Sequence, residues 1–247
     1  MTAPMSHPRY QSLQIRERLV AGVEAGITSQ EGLIAHGRGE AFDYLLGERT
    51  TDSAMNATRA SVAMLLAAEC PVLSVNGNVA ALVPGEIIEM SRIIGAQIEI
   101  NLFYRTEKRV RAIAAHLRSH GASASEILGE QPDASLPLDH ARSRVCKDGI
   151  HAADVVLVPL EDGDRCQALV GMGKSVIAID LNPLSRTAET ATITIVDNVV
   201  RAIPNMIRLA RQMDGLPEDR LIDIVMRHDN RKALKDAIRE IVSQWST

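Results

Sequence analysis

The residues of this chain that could bind or move charge fall at the ends of apolar runs. Ser175–Ile179 is a β-branched run ending in Asp180-Leu181-Asn182-Pro183, and Thr192–Val196 is a second ending in Asp197-Asn198. Between them lies Ser185-Arg186-Thr187, a cation flanked by hydroxyls. Val199 to Arg211 has helical periodicity, so Asp197 or Asn198 is the expected N-cap, and the amides of Asn198 and Val199 are offered to an anion. An Asp or Asn at a strand end can read hydroxyls or a base edge, while a guanidinium and free helix amides favour phosphate.

A second constellation is His36-Gly37-Arg38-Gly39-Glu40. Glycines on either side of Arg38 let backbone approach a ligand while the guanidinium presents a planar fork to phosphate oxygens. The motif is expected as a polar loop; the plainer alternative is a helix-to-helix turn in which His36 satisfies a carbonyl. Arg16 and Arg18 precede it on a helix, where spacing points them in different directions, so at most one serves the same site; Arg16 is preferred. Three further clusters close strands: Ser74-Val75-Asn76-Gly77-Asn78, Asn101-Leu102-Phe103-Tyr104-Arg105-Thr106, and Pro159-Leu160-Glu161-Asp162-Gly163-Asp164-Arg165. Asn76-Gly77 could equally be a tight turn. Arg105 at a helix start opposes the helix dipole unless an anion is present. Glu161 and Asp162 are candidates for Mg²⁺ or for accepting a proton from an amine.

Helices and strands in alternation must position these groups. Helices are expected over Tyr10 to Ala25, Ser29 to Ile34, Ala41 to Leu46 and, capped by Thr51, to about Glu69. Then follow strand Val72–Val75, helix Pro84 to Ile94, strand Gln97–Leu102, helix Thr106 to His120, strand Ile127–Leu128, a helix near His140–Lys147, strand Asp154–Val158 and helix Asp164–Met172. A final amphipathic helix runs from Arg231 to Gln244. This spacing predicts an α/β fold, a Rossmann-like parallel sheet with helices on both faces, a helical N-terminal extension and a C-terminal helix. No linker divides it, so one domain is expected over 1–247, with a helical N-terminal region over 1–70, a sheet core over 71–213 and a helical tail over 214–247. The loops on one sheet edge then converge on one crevice.

Composition narrows the chemistry. With 247 residues, 46% of them hydrophobic, the chain can bury one large core. A net charge of −4 and a pI near 6.0 force no basic face, which argues against nucleic acid as a partner. No apolar run approaches the roughly 20 residues of a membrane span, and MTAPMSHPRYQS lacks the features of a signal peptide, so a cytoplasmic location is expected. Cys70, Cys146 and Cys166 are widely spaced and read as buried reduced thiols. There is no GxxxxGK[ST], GxSxG, HExxH or CxxC; Gly171-Met172-Gly173-Lys174-Ser175 follows a helix and precedes a strand, the inverse of a dinucleotide fingerprint. What remains, positioned Arg, Asn, Asp and backbone amides, suits phosphoryl or nucleotidyl transfer.

The stretches ITSQEGLIAHGRGEAFDYLLGERTT, PVLSVNGNVAALVP, IEINLFYRTEKRV, ADVVLVPLEDGDR and VIAIDLNPLSRTAETATITIVDNVVRAIPN together resemble the archaeal 4-phosphopantoate–β-alanine ligase family, also called phosphopantothenate synthetase. The resemblance runs from about His7 to Asn205 and beyond. It implies a homodimeric Rossmann-like enzyme of coenzyme A biosynthesis that joins 4-phosphopantoate to β-alanine, with ATP converted to AMP and diphosphate through an acyl adenylate. It implies ATP contacts at Arg16, Arg38, Asp180, Leu181, Asn182, Arg186, Thr187, Asn198 and Val199. Arg38 and Arg186 are the catalytic candidates, Asn76, Asn101 and Arg105 the candidates for holding phosphopantoate, and Mg²⁺ the expected metal, with ligands unassigned. A non-catalytic nucleotide-binding regulatory protein is the alternative. A nicotinamide oxidoreductase would want a glycine fingerprint after the first strand, which Val75-Asn76-Gly77-Asn78 does not supply.

Overall fold

The computed structural model of the chain describes residues 4–243. Three helices, α1 (Tyr10–Glu24), α2 (Gln30–Leu45) and α3 (Asp52–Leu66), precede the first strand β1 (Pro71–Val75). Next come α4 (Gly77–Leu82), α5 (Pro84–Ile94), β2 (Gln97–Ile100), α6 (Glu107–Ser119) and β3 (Ile127–Leu128). The chain then leaves the sheet through a small antiparallel pair, β4 (Ala134–Ser135) with β5 (Arg144–Val145), and a π-type turn at Lys147–His151. It returns with β6 (Val155–Pro159), α7 (Gly163–Gly171), β7 (Ser175–Ile179), α8 (Arg186–Thr190), β8 (Ile193–Ile195) and α9 (Val199–Met213). Helices α10 (Glu218–Met226) and α11 (Asn230–Ser243) follow. None of the described helices is long and apolar enough to cross a membrane.

The main sheet is parallel, in the order β3-β2-β1-β6-β7-β8. Chain direction along the sheet reverses between β1 and β6, and there the connections part and leave a crevice at the carboxyl ends. Register aligns Ile98, Leu73, Leu157, Ile177 and Ile193 in one row, packed against α3, α5 and α9. One residue along, Val72, Val156 and Val176 face the other way, onto Cys166 and Leu169 of α7 and onto Ile150 and Val145. Both faces are covered, so β1 and β6 are apolar at nearly every position instead of alternating. Each fully buried Leu, Ile or Val contributes about 1.5–3 kcal/mol. On the second face Ser74 and Glu99 pair side by side, a polar spot in an apolar layer.

Several expected elements take another form. The segments Ser29 to Ile34 and Ala41 to Leu46 are one continuous helix, so His36-Gly37-Arg38-Gly39-Glu40 is not a loop. Its glycines cost about 1 kcal/mol each relative to Ala, but Ser29 caps the helix by accepting from Gly32 N, and Phe42 and the cap residue Leu46 pack into an apolar cluster with Leu181. Gly39 has a packing use: a Cβ there would stand 3.4 Å from Leu181 Cδ1. Asn76-Gly77 is not a tight turn, because Asn76 accepts from Val79 N at 3.1 Å and begins α4. His140–Lys147 is a 3-10 turn at Ala141–Ser143 followed by β5, and α4, α8 and α10 form where the sequence pattern predicts no helix. Cys146 and Cys166 are buried and reduced, but Cys70, in the turn before β1, is exposed. Gln244, the expected end of the last helix, lies outside the described residues.

Candidate active site

The crevice between β1 and β6 encloses about 240 Å³. Asn76 builds its floor: the side chain that caps α4 also donates from Nδ2 to the Pro159 carbonyl at 2.8 Å, tying the two diverging strand ends together. Gly77 is needed beside it, since a Cβ would come within 2.5 Å of the Ile27 carbonyl and 2.8 Å of Thr28 Cα. Phe103 and Tyr104, edge to face with centroids 4.9 Å apart, stand half-exposed at the mouth. In a chain with only 2 Phe, 3 Tyr and 1 Trp, that pairing gives the crevice mouth an apolar surface open to a ligand.

Helix α2 is the roof. Near its start Asn78 Nδ2 donates to the Gly32 carbonyl at 2.9 Å; midway Gly39 meets Leu181 beyond β7; near its end Asp43 Oδ2 accepts from Asn198 Nδ2 at 2.8 Å, beyond β8. From Gly32 to Asp43 a helix rising about 1.5 Å per residue covers roughly 16 Å. Strands β1, β6, β7 and β8, about 4.8 Å apart, span roughly 14 Å. The N-terminal extension therefore crosses the carboxyl edge of the sheet, and Arg38 sits where it passes from the crevice to β7. Arg38 is exposed, lines the crevice and lies near enough to Asp180 to favour that carboxylate's charge.

The cations of the crevice wall are built differently. Arg142, brought in by the excursion between β3 and β6, and Arg165 of α7 share one buried carboxylate, Glu161, and Arg142 Nε lies 3.1 Å from Asp162. The Arg142 side chain is 7% exposed and that of Arg165 0%. Burial pushes both guanidinium pKa values down to about 10, with Arg165 adding to the effect on Arg142. Neither charge could remain there without its partner. Glu99 holds the excursion in place by accepting from Cys146 N at 3.0 Å and Ile150 N at 2.7 Å, and its burial raises its pKa to about 7. Asn101 adds Nδ2 donations to the carbonyls of Arg142 at 3.3 Å and Arg144 at 3.1 Å.

This geometry reassigns several expected residues. Glu161 is not available to Mg²⁺ or to an amine, because both of its oxygens are engaged by arginines. Among the described residues no group of three His, Cys, Asp or Glu side chains could hold a metal, so the carboxylates present do not form a Mg²⁺ cage. Asn101 is buried and positions the excursion from behind the crevice. Arg105 is turned away: Nη2 donates to the Gly129 carbonyl at 2.5 Å, beside β3. Its place is taken by Arg109, which lines the crevice. Thr106 is the N-cap of α6, so Arg109 is in the first turn, and the dipole argument made for Arg105 fits Arg109 better. Arg142 gave no comparable signal, since it reaches the site through irregular chain.

The nucleotide candidates lie beyond β7 and β8. Asp180 accepts from Asn182 N at 2.9 Å and from the Ser185 hydroxyl, and Asn182 Oδ1 accepts from Leu184 N at 2.9 Å, so both side chains shape the loop that presents Arg186. Arg186 opens α8, exposed and with no ion-pair partner among the described residues. Thr187 is buried and donates to the Glu161 carbonyl at 2.9 Å, linking this loop to the crevice; Leu181 is buried under Gly39. Asn198 caps α9 as expected, but Asn198 and Val199 are 4% and 2% exposed, beneath α2, where Asp43 and Asp197 both pair with Arg201. Arg16 pairs with Glu40 on the outer side of α2, and Arg18 donates to the Leu82 carbonyl; neither lines the crevice.

Comparison with known proteins identifies the family of the chain. The family model described as phosphopantothenate/pantothenate synthetase matches residues 53–244. A 4-phosphopantoate–β-alanine ligase of Methanosarcina mazei is 57% identical over 244 residues, covering 99% of this chain and 96% of its own. Enzymes of the same name from Thermococcus kodakarensis and Thermococcus onnurineus are 58% and 59% identical over 239 residues, covering 96% of this chain and 91% of theirs. The chain belongs to the phosphopantothenate/pantothenate synthetase family.

Proposed function

We propose that this chain condenses 4-phosphopantoate with β-alanine, converting ATP to AMP and diphosphate, as a step of coenzyme A biosynthesis. The observation that carries the reading is the identity of more than half of all residues to ligases of that name over nearly the full length of both chains. The crevice supports it chemically. Arg38, Arg109 and Arg142 line one small cavity, as an acid bearing a phosphate and a carboxylate requires, and Phe103 and Tyr104 offer contact to its branched carbon.

In this reading the acid occupies the β1/β6 crevice and the nucleotide the β7/β8 side, with Arg38 between them. A carboxylate oxygen attacks the α-phosphorus, the bond to diphosphate breaks, and an acyl adenylate forms. The amine of β-alanine, having lost a proton, then attacks the acyl carbon and AMP leaves. Arg38 and Arg186 stabilise charge on the phosphates. Asp180 and Asn182 form the wall of the nucleotide side, with Asn182 Nδ2 directed to the nucleoside, and the buried Leu181, Thr187, Asn198 and Val199 support that wall from behind. Asn76 shapes the acid's floor. No residue needs to form a covalent bond.

Incubation with ATP, 4-phosphopantoate and β-alanine tests this: AMP, diphosphate and 4′-phosphopantothenate are expected in equal amounts. Formation of ADP and phosphate contradicts the adenylate, and binding of ATP without turnover favours a nucleotide-binding regulatory protein. A homodimer and a cytoplasmic location belong to the same proposal; sedimentation at the 26.8 kDa of one chain contradicts the dimer.

A further inference from the structure

The family description covers phosphorylated and unphosphorylated products, so some feature of the chain must decide which acid is taken. We propose that Arg109 reads the phosphate of the acid and thereby sets the preference for 4-phosphopantoate over pantoate, an inference that rests on the ligase reading above.

The crevice cations differ in how their charge is matched. Arg142 is matched by Glu161 and Asp162. Arg109 has no carboxylate within ion-pair distance among the described residues. Its Nη1 donates to the Tyr104 carbonyl at 2.6 Å and its Nη2 to the Ile27 carbonyl at 3.2 Å, while Nε is buried with no partner. Those carbonyls fix the plane of the guanidinium, and of its five N–H groups the unused ones remain for a ligand. Burial lowers its pKa, only partly offset by the exposed Glu31 nearby. Phosphate and carboxylate both match such an unmatched guanidinium, and position along the sheet decides which end of the acid it meets.

Position along the sheet gives the direction of the acid. Arg109 lies at the β1/β2 end, over the start of α4, where a Cβ on Gly77 would stand 3.0 Å from its Nη2. Arg186 and Asp180 lie at the β7 end, and Arg142 between. The carboxylate must meet the α-phosphorus, so it points toward β7, and the phosphate of the same molecule is left at the opposite end, on Arg109. Ser29, at the start of α2, lines that end as well.

Affinity for each acid separates this role from a structural one. In Arg109→Gln the KM for 4-phosphopantoate rises about ten- to a hundredfold, the loss of a charge-assisted contact, while the inhibition constant of pantoate stays within about twofold because the carboxylate contacts remain. Arg109→Lys recovers part of the loss. Arg111→Gln, the same charge change at an exposed position of α6, leaves both values unaltered. Equal losses for the two acids in the Gln or Lys variant would show a structural role and overturn the proposal, as would an unchanged KM in folded Arg109→Gln. Failure of the unsubstituted chain to form AMP from these substrates removes the ligase reading itself; AMP formation with an unshifted ratio in the variants removes only Arg109.

Discussion

The two halves of the sheet's carboxyl edge hold their cations in opposite ways. At β1/β6, Arg142 and Arg165 are buried, share Glu161, and are fixed by an excursion that Glu99 and Asn101 pin down. At β7/β8, Arg186 is exposed and unpaired among the described residues, as is Arg38 in the roof above. In the proposed reading the first half is set before the acid arrives, and the second orders its arginines as the nucleotide binds, at about 0.5–1.5 kcal/mol per long side chain. A small acid whose carboxylate must be aimed benefits from the first arrangement, and a long flexible triphosphate tolerates the second.

Substitution on the rigid side should act on stability. Glu161→Ala leaves two buried guanidinium groups without their carboxylate and should cost about 3–5 kcal/mol in urea unfolding. A loss under about 1 kcal/mol would mean that the crevice wall is solvated and adaptable, and the contrast between the halves would disappear.

On the open side, substitution should spare the fold. Arg38→Ala places a good helix former at an exposed position of α2 and should leave the unfolding midpoint unchanged, while turnover falls about ten- to a hundredfold through loss of a charge-assisted phosphate contact. Full turnover in the folded variant would make α2 a roof without a chemical role. Within the nucleotide half, Arg186→Ala should weaken ATP far more than adenosine. Asn182→Ala should weaken both alike, by roughly two- to tenfold for a neutral hydrogen bond. Calorimetric titration of both ligands decides this, and equal losses for Arg186→Ala would remove its phosphate role.

The contrast also explains what could be read from the sequence. Strand and helix alternation and edge clusters follow local rules, so the parallel sheet and a cap at Asp197 or Asn198 were legible, whereas the short helix that Arg186 opens was not. The continuity of α2 was not, because its local signals, Gly37 and Gly39, argue for a break, and only contact with Leu181 shows why Gly39 is there. Glu161 reads as a free carboxylate until Arg142, 19 residues earlier, is brought against it by irregular chain. Arg105 and Arg109 differ by one helical turn, and which faces the crevice depends on packing against Ile27 and Gly129. Buried charge is set by distant partners, whereas exposed charge keeps the address its neighbours in sequence give it.

An acid held in the rigid β1/β6 crevice with a nucleotide on the open β7/β8 side would be seen at once in a crystal structure with 4-phosphopantoate and a non-hydrolysable ATP analogue. The expected complex has the phosphate of the acid on Arg109, its carboxylate directed toward β7, and the triphosphate between Arg38 and Arg186. A nucleotide lying in the β1/β6 crevice, or an acid bound beyond β7 with Arg109 untouched, would refute that division of the sheet edge.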